Sequence, residues 1–98
     1  MTETLQKFIT KAYEYGYEAE KRINRVFNGN YTLKEKVETS KRVKRDLMNN
    51  LNGLESGFKL VSNNSKEELE FHDNCLKMYM KVYSECAREI SLKRGKKL

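Results

Sequence analysis

The amino-acid sequence predicts an all-α chain, an antiparallel three-helix bundle, and three observations carry that prediction. No proline occurs in its 98 residues, so no position forces a helix to break. Two capping-box patterns, Thr32-Leu-Lys-Glu35 and Ser65-Lys-Glu-Glu68, place a hydroxyl and a carboxylate where they satisfy two orphan backbone N–H groups at a helix start. Within each of the three segments so delimited, apolar residues recur at helical spacing. The expected helices span about 4–27, 33–61 and 65–92. They make one domain over 1–92, followed by a basic tail, Lys93-Arg-Gly-Lys-Lys-Leu98, expected to be disordered.

The first helix carries Leu5, Phe8, Ile9, Ala12, Tyr15, Ala19, Ile23, Val26 and Phe27 within an arc of roughly 120°, a strong amphipathic pattern. It should stop at Asn28-Gly29-Asn30, with glycine supplying a left-handed cap. Gly16 lies inside the apolar arc. A glycine there costs about 1 kcal/mol of helix stability relative to alanine, so close approach by another helix or a large side chain is expected to compensate.

The second helix shows 4-3-4-3 spacing through Leu33, Val37, Ser40, Lys44, Leu47, Leu51, Leu54, Phe58 and Val61. The pattern persists past Gly53, which predicts a continuous helix, with a break near residues 50–53 as the alternative. Counting heights from the two short turns sets Lys44 level with Gly16 on one side and Tyr83 on the other. Its stem is expected above Gly16 and its ammonium near Glu20, Glu89 or the Tyr83 ring.

The third helix has a main seam of Leu69, His72, Leu76, Tyr79, Tyr83, Cys86 and Ile90, with Phe71, Cys75, Met78 and Val82 alongside. Together these cover nearly 200° of the wheel. Such width means either a central helix touching two neighbours or an apolar strip kept for another molecule. Phe71, Met78 and Val82 are the candidate oligomer interface on the second reading, which would make the chain a dimer through this helix.

Chemistry is sparse. The one histidine, His72, falls on the apolar seam, where a packed core residue is the ordinary outcome. Glu68, His72 and Cys75 could offer three metal ligands on neighbouring turns, but no second cluster completes a zinc site. Gly53-x-x-x-Gly57 lacks the Lys-Ser/Thr of a phosphate-binding loop. No catalytic residue, cofactor or metal is therefore expected. Cys75 and Cys86 are eleven positions apart on one helix, about 16 Å, too far to pair. Asn30-Tyr-Thr32 and Asn63-Asn-Ser65 match glycosylation acceptors but read better as turn and cap chemistry. No run reaches the ~18–20 apolar residues of a membrane span, and Met1-Thr-Glu-Thr-Leu5 lacks the features of a signal peptide. A cytoplasmic protein with no membrane partner is expected.

What remains is surface. Twenty Lys and Arg stand against fourteen Asp and Glu, a net +6 that favours acidic partners. Lys34, Lys41, Arg45 and Lys59 share a stripe of the second helix, and Lys41-Arg-Val-Lys-Arg45 is the densest positive run. Such a stripe is ordinarily solvated, yet it is the pattern that tracks phosphates. Tyr13 and Tyr17, one turn apart and outside the core arc, resemble interface anchors. The expected function is a non-enzymatic binding protein that occupies a surface of a larger protein or nucleoprotein complex. Tyr13 and Tyr17 would anchor it, and Lys41, Arg42 and Arg45 would meet acidic or nucleic-acid-bearing surface. Small size and a composition rich in Lys, Asn and Tyr have the style of virus- or plasmid-encoded inhibitors, one concrete form being an inhibitor of a host nucleic-acid-processing or defence complex. The alternative is a small dimeric nucleic-acid-binding regulator using the basic stripe.

Overall fold

The computed structural model describes the backbone of residues 2–95 and the side chains of residues 2–92. Three helices, α1 (Glu3–Phe27), α2 (Leu33–Val61) and α3 (Ser65–Gly95), pack pairwise into an elongated bundle of 52 × 20 × 16 Å. The connections run from Asn28 to Thr32 and from Ser62 to Asn64, so consecutive helices turn back on one another. α2 is continuous through Gly53, whose missing side chain has only open space around it. α3 extends to Gly95, three residues beyond the expected end. The remainder of the predicted tail, residues 96–98, lies outside the described residues.

The helix starts are set by side chains. Thr2 caps α1, its hydroxyl accepting from the Leu5 N–H. Thr32 and Glu35 form the full reciprocal capping box on α2. At α3 the cap is Asn64 and not Ser65: the Asn64 carboxamide oxygen accepts from Lys66 N–H at 2.9 Å and Glu67 N–H at 3.4 Å. Asn caps as well as Ser, and the Ser62 hydroxyl steadies it by accepting from the Asn64 N–H. The end of α1 also departs from expectation. Gly29 has no positive φ, and Asn28 closes the helix in right-handed geometry. A Cβ on Gly29 would instead sit 2.9 Å from both the Arg25 carbonyl oxygen and the Tyr31 ring, so crowding is what excludes a side chain.

The core is knit at one end by an aromatic triad with one ring per helix. Phe8, Phe58 and Phe71 stand 5.1–5.8 Å apart in tilted and edge-on arrangements. Leu5, Ile9, Ala12, Ala19, Ile23 and Phe27 of α1 are buried as predicted. On α2, Ser40, Leu47, Leu51 and Phe58 are buried, but so are Val43 and Lys36, while Val61 at the end of the predicted seam is exposed. α2 touches both neighbours, so its buried face is wider than a single seam.

α3 required the largest correction. The buried stripe is Phe71, Cys75, Val82 and Cys86, with Met78 partly covered. Leu69, His72, Leu76 and Tyr83 of the predicted main seam are exposed. Phe71 and Val82 are thus consumed by the core and present no outward interface, and Met78 lies against α1. The physical reason is the triad: Phe71, the one phenylalanine on α3, completes the cluster with Phe8 and Phe58. The rest of its stripe follows Phe71 inward.

Candidate functional site

An ion pair bridges each pair of helices. Arg22 meets Asp46 at 3.1 Å between α1 and α2. Lys81 meets Glu20 at 3.2 Å between α3 and α1. His72 meets Glu55 at 3.0 Å between α3 and α2. The second of these closes one side of the most site-like feature of the molecule.

That feature is a groove of ≈ 360 Å³ between α1 and α3, lined by Tyr13, Tyr17, Glu20, Asn74, Lys77, Met78 and Lys81. Tyr13 and Tyr17 are 56 % and 61 % exposed at its rim. Gly16 explains why the groove has its floor. A Cβ there would overlap the Met78 Sδ and lie 2.7 Å from its Cγ, so the thioether rests directly on the α1 backbone. The large side chain expected over Gly16 is therefore Met78 and not Lys44. Lys21 sits over the Tyr17 ring at 4.8 Å and holds it against the helix surface. Aromatic rims, a pliable methionine floor and flanking cations suit a protein ligand with acidic character.

The basic stripe is elsewhere. The helical wheel sets Lys41, Arg45 and Lys59 beside Met48 and Asn52, on the α2 side that faces α3. Lys34, Lys41, Arg45 and Lys59 are all exposed and make no ion pair with a described residue. They track about 38 Å along the helix. Arg42 is turned away and lines a separate shallow depression with Tyr31, Lys34 and Glu38. The two tyrosines and the stripe therefore belong to different faces, and no single surface unites them. Lys44 does reach the Tyr83 ring, its Nζ 4.5 Å from the centroid. Glu20 pairs with Lys81 instead of with Lys44.

His72 is not a packed core residue. It is exposed, and its Nδ1 meets the Glu55 carboxylate, whose hydrogen bond and charge raise the imidazole pKa above its ordinary 6.5. Behind it, burial and then Glu55 push the Cys75 thiol from 9.0 up to about 12. Burial raises Cys86 as well. Both cysteines are free and buried, and both are poor nucleophiles. Glu68 does not join His72 and Cys75: no cluster of three or more potential metal ligands occurs among the described residues. None of the described helices is long and apolar enough to cross a membrane.

Sequence reasoning singled out Tyr13 and Tyr17, which line the groove, but missed Met78, Lys81 and Asn74 as their neighbours across it. Comparison with known protein families, curated sequences and solved structures returns no match.

Proposed function

We propose that the chain is a non-enzymatic helical binding protein that acts by occupying a surface of a larger protein or nucleoprotein complex, with the α1–α3 groove as its docking site. The observation that carries this reading is the exposure of Tyr13 and Tyr17 over a floor made by Met78. Large rigid rings left in water beside a deformable apolar floor gain on transfer to a partner, and they lose little side-chain entropy in doing so. Lys77, beside the Lys81–Glu20 pair, favours an acidic counterpart. An inhibitor of a host nucleic-acid-processing or defence complex, of virus or plasmid type and working in the cytoplasm, is the concrete form this reading takes. The test is affinity capture from host extract with the tagged wild type and with Tyr13→Ala/Tyr17→Ala. Equal recovery of the same partner by both proteins removes the groove from the mechanism.

A second reading is favoured by the free cations of α2. Lys34, Lys41, Arg45 and Lys59 form an unneutralised track suited to phosphates. Four phosphate contacts predict on the order of 10²-fold weaker duplex binding between ~50 and ~200 mM salt. Lys41→Glu/Arg45→Glu would abolish that binding without unfolding the chain. Absence of any gel shift at low salt eliminates this reading.

A further inference from the structure

The layer formed by α2 and α3 has one side turned away from α1, and two unlike rows of side chains stand on it as parallel ridges. On α2 the ridge is cationic: Lys34, Lys41, Arg45 and Lys59 are exposed and make no ion pair with a described residue. On α3 the ridge is aliphatic: Leu69, Leu76 and Met80 are 61 %, 49 % and 47 % exposed. Each ridge is turned about 120° around its helix from the buried stripe, toward the other helix, so both point out of the same plane. The contacts Lys44–Tyr83 and Glu55–His72 fix their relative heights. Arg45 stands within one turn of Met80, and Lys59 within one turn of Leu69. We propose that this side of the bundle rests on an anionic lipid surface, with its cations among the headgroups and its aliphatic ridge at the edge of the hydrocarbon.

Charge is the first argument. The α1 cations Lys7, Lys11, Lys21 and Arg22 each meet a carboxylate, whereas those of the α2 ridge do not. Glu55, between the ridges, is held by His72, and Glu38 and Asp73 at the outer edges leave the side net positive. An anionic leaflet strengthens binding by about fivefold for each Lys or Arg near it.

The aliphatic ridge is the second. A nucleic acid offers phosphates to the cations but nothing to Leu69, Leu76 and Met80, since bases stack on rings. The ring on this side, Tyr83, already carries Lys44. Nor is there a socket for a protein anchor: the seam between the ridges holds a depression of only ≈ 70 Å³ beside Met48 and Leu76. A fluid lipid surface needs no socket, only cations and apolar side chains side by side.

Both ridges run along the 52 Å axis, so the bundle would lie flat. Lying on a bilayer requires no spanning helix, although the sequence alone suggested no membrane partner. The Tyr13–Tyr17 groove opens on the other side of α3 and stays accessible, so the proposal stands or falls independently of it.

Cosedimentation with vesicles is the test. The intact chain should bind phosphatidylcholine vesicles holding ~30 % phosphatidylserine at ~50 mM salt, ignore pure phosphatidylcholine, and be released by ~0.5 M salt. Lys41→Gln/Arg45→Gln should bind about 30-fold more weakly. Leu76→Glu/Met80→Glu should lose binding with unchanged helical circular dichroism, since both sites are half exposed. An environment-sensitive dye on Met80→Cys should shift to the blue on these vesicles, and one on Glu14→Cys, on the outer face of α1, should not. Cys75 and Cys86 are buried and stay unlabelled. No binding to the anionic vesicles, equal binding to both kinds, or undiminished binding of Leu76→Glu/Met80→Glu overturns the proposal. So does an equal dye shift at Glu14→Cys. A DNA duplex bound at ~50 mM salt without vesicle binding would assign the cations to nucleic acid and overturn it too.

Discussion

Gly16 is where helix stability and the groove are traded against each other, and Gly16→Ala measures the exchange. Alone, the substitution should gain about 1 kcal/mol of helix propensity. The new methyl, however, would overlap the Met78 thioether. Overpacking typically costs about 1–3 kcal/mol. Met78 is a flexible side chain bordering an open groove of ≈ 360 Å³, so it can swing aside and the cost falls at the low end of that range. The net change is therefore between about zero and 1 kcal/mol of destabilisation. In a Met78→Ala background nothing opposes the methyl, and the same substitution should stabilise by about 1 kcal/mol.

The four proteins form a double-mutant cycle with a coupling of about 1–2 kcal/mol. Urea unfolding followed by circular dichroism reads it, and each kcal/mol moves the melting temperature of a domain this size by about 4–8 °C. Equal stabilisation by Gly16→Ala in both backgrounds would refute the reasoning, because it would mean Met78 does not rest on the α1 backbone. The functional corollary is that Gly16→Ala, by displacing Met78 into the groove, should weaken partner capture in the same direction as loss of the tyrosines.

Three further outcomes follow from particular contacts. The folded His72 pKa is raised by Glu55, with Asp73 adding to the effect and Lys59 opposing it. The stabilisation is accordingly full below the unfolded value of 6.5 and is lost as pH rises through the folded pKa. His72→Gln should flatten the pH dependence of the urea midpoint between ~5 and ~8, and an unchanged profile would sever the His72–Glu55 link. Cys75, with its pKa near 12, and buried Cys86 should resist a thiol reagent in the native state and both react after unfolding; rapid native labelling would contradict their burial. Asn64→Ala should cost about 1 kcal/mol and Ser65→Ala almost nothing, so the reverse ranking in thermal melts would return the cap to Ser65.

The parts of the fold legible in the sequence were those governed by local chemistry. The start of α2 at residues 32–33, its continuity and the inward face of α1 all follow from caps and periodicity, whereas the Thr2 cap that starts α1 at Glu3, one residue before the expected start, was not read. Heights across the bundle were legible only in part. Counting from the second turn sets Lys44 beside Tyr83, and that is the contact found. Counting from the first turn sets Gly16 beside Lys44, but Phe8 meets Phe58 and Arg22 meets Asp46. Extending that register sets Gly16 level with about residue 51. The count is off by nearly two turns, roughly 10 Å. A loop's midpoint is not the level at which two helices face each other, because one helix can overshoot the turn. The groove companions Met78 and Lys81 were missed for this reason: only the true register brings them beside Gly16 and Glu20.

The misassignment on α3 has a different origin, and it bears on function. Two apolar stripes of similar strength run along this helix, and periodicity cannot rank them. What ranks them is polarity as well as shape: Phe71, the one phenylalanine of α3, can bury its whole ring in a three-ring cluster, whereas Tyr83 on the other stripe carries a hydroxyl that favours water. A helix serving one core needs one stripe. The second persists here with Leu, Met and Tyr at the spacing of the first, in a chain where charged residues make up 35 % of the whole. Leaving that much apolar surface in water promotes indiscriminate sticking unless something specific covers it. The tyrosine groove cannot be that cover, since it opens on the other side of α3, between α3 and α1. The groove and the exposed row thus lie on different sides of α3, which is the wall they share. Substitutions on the row should therefore leave the groove intact, so Leu76→Glu/Met80→Glu should still capture the partner that Tyr13→Ala/Tyr17→Ala loses.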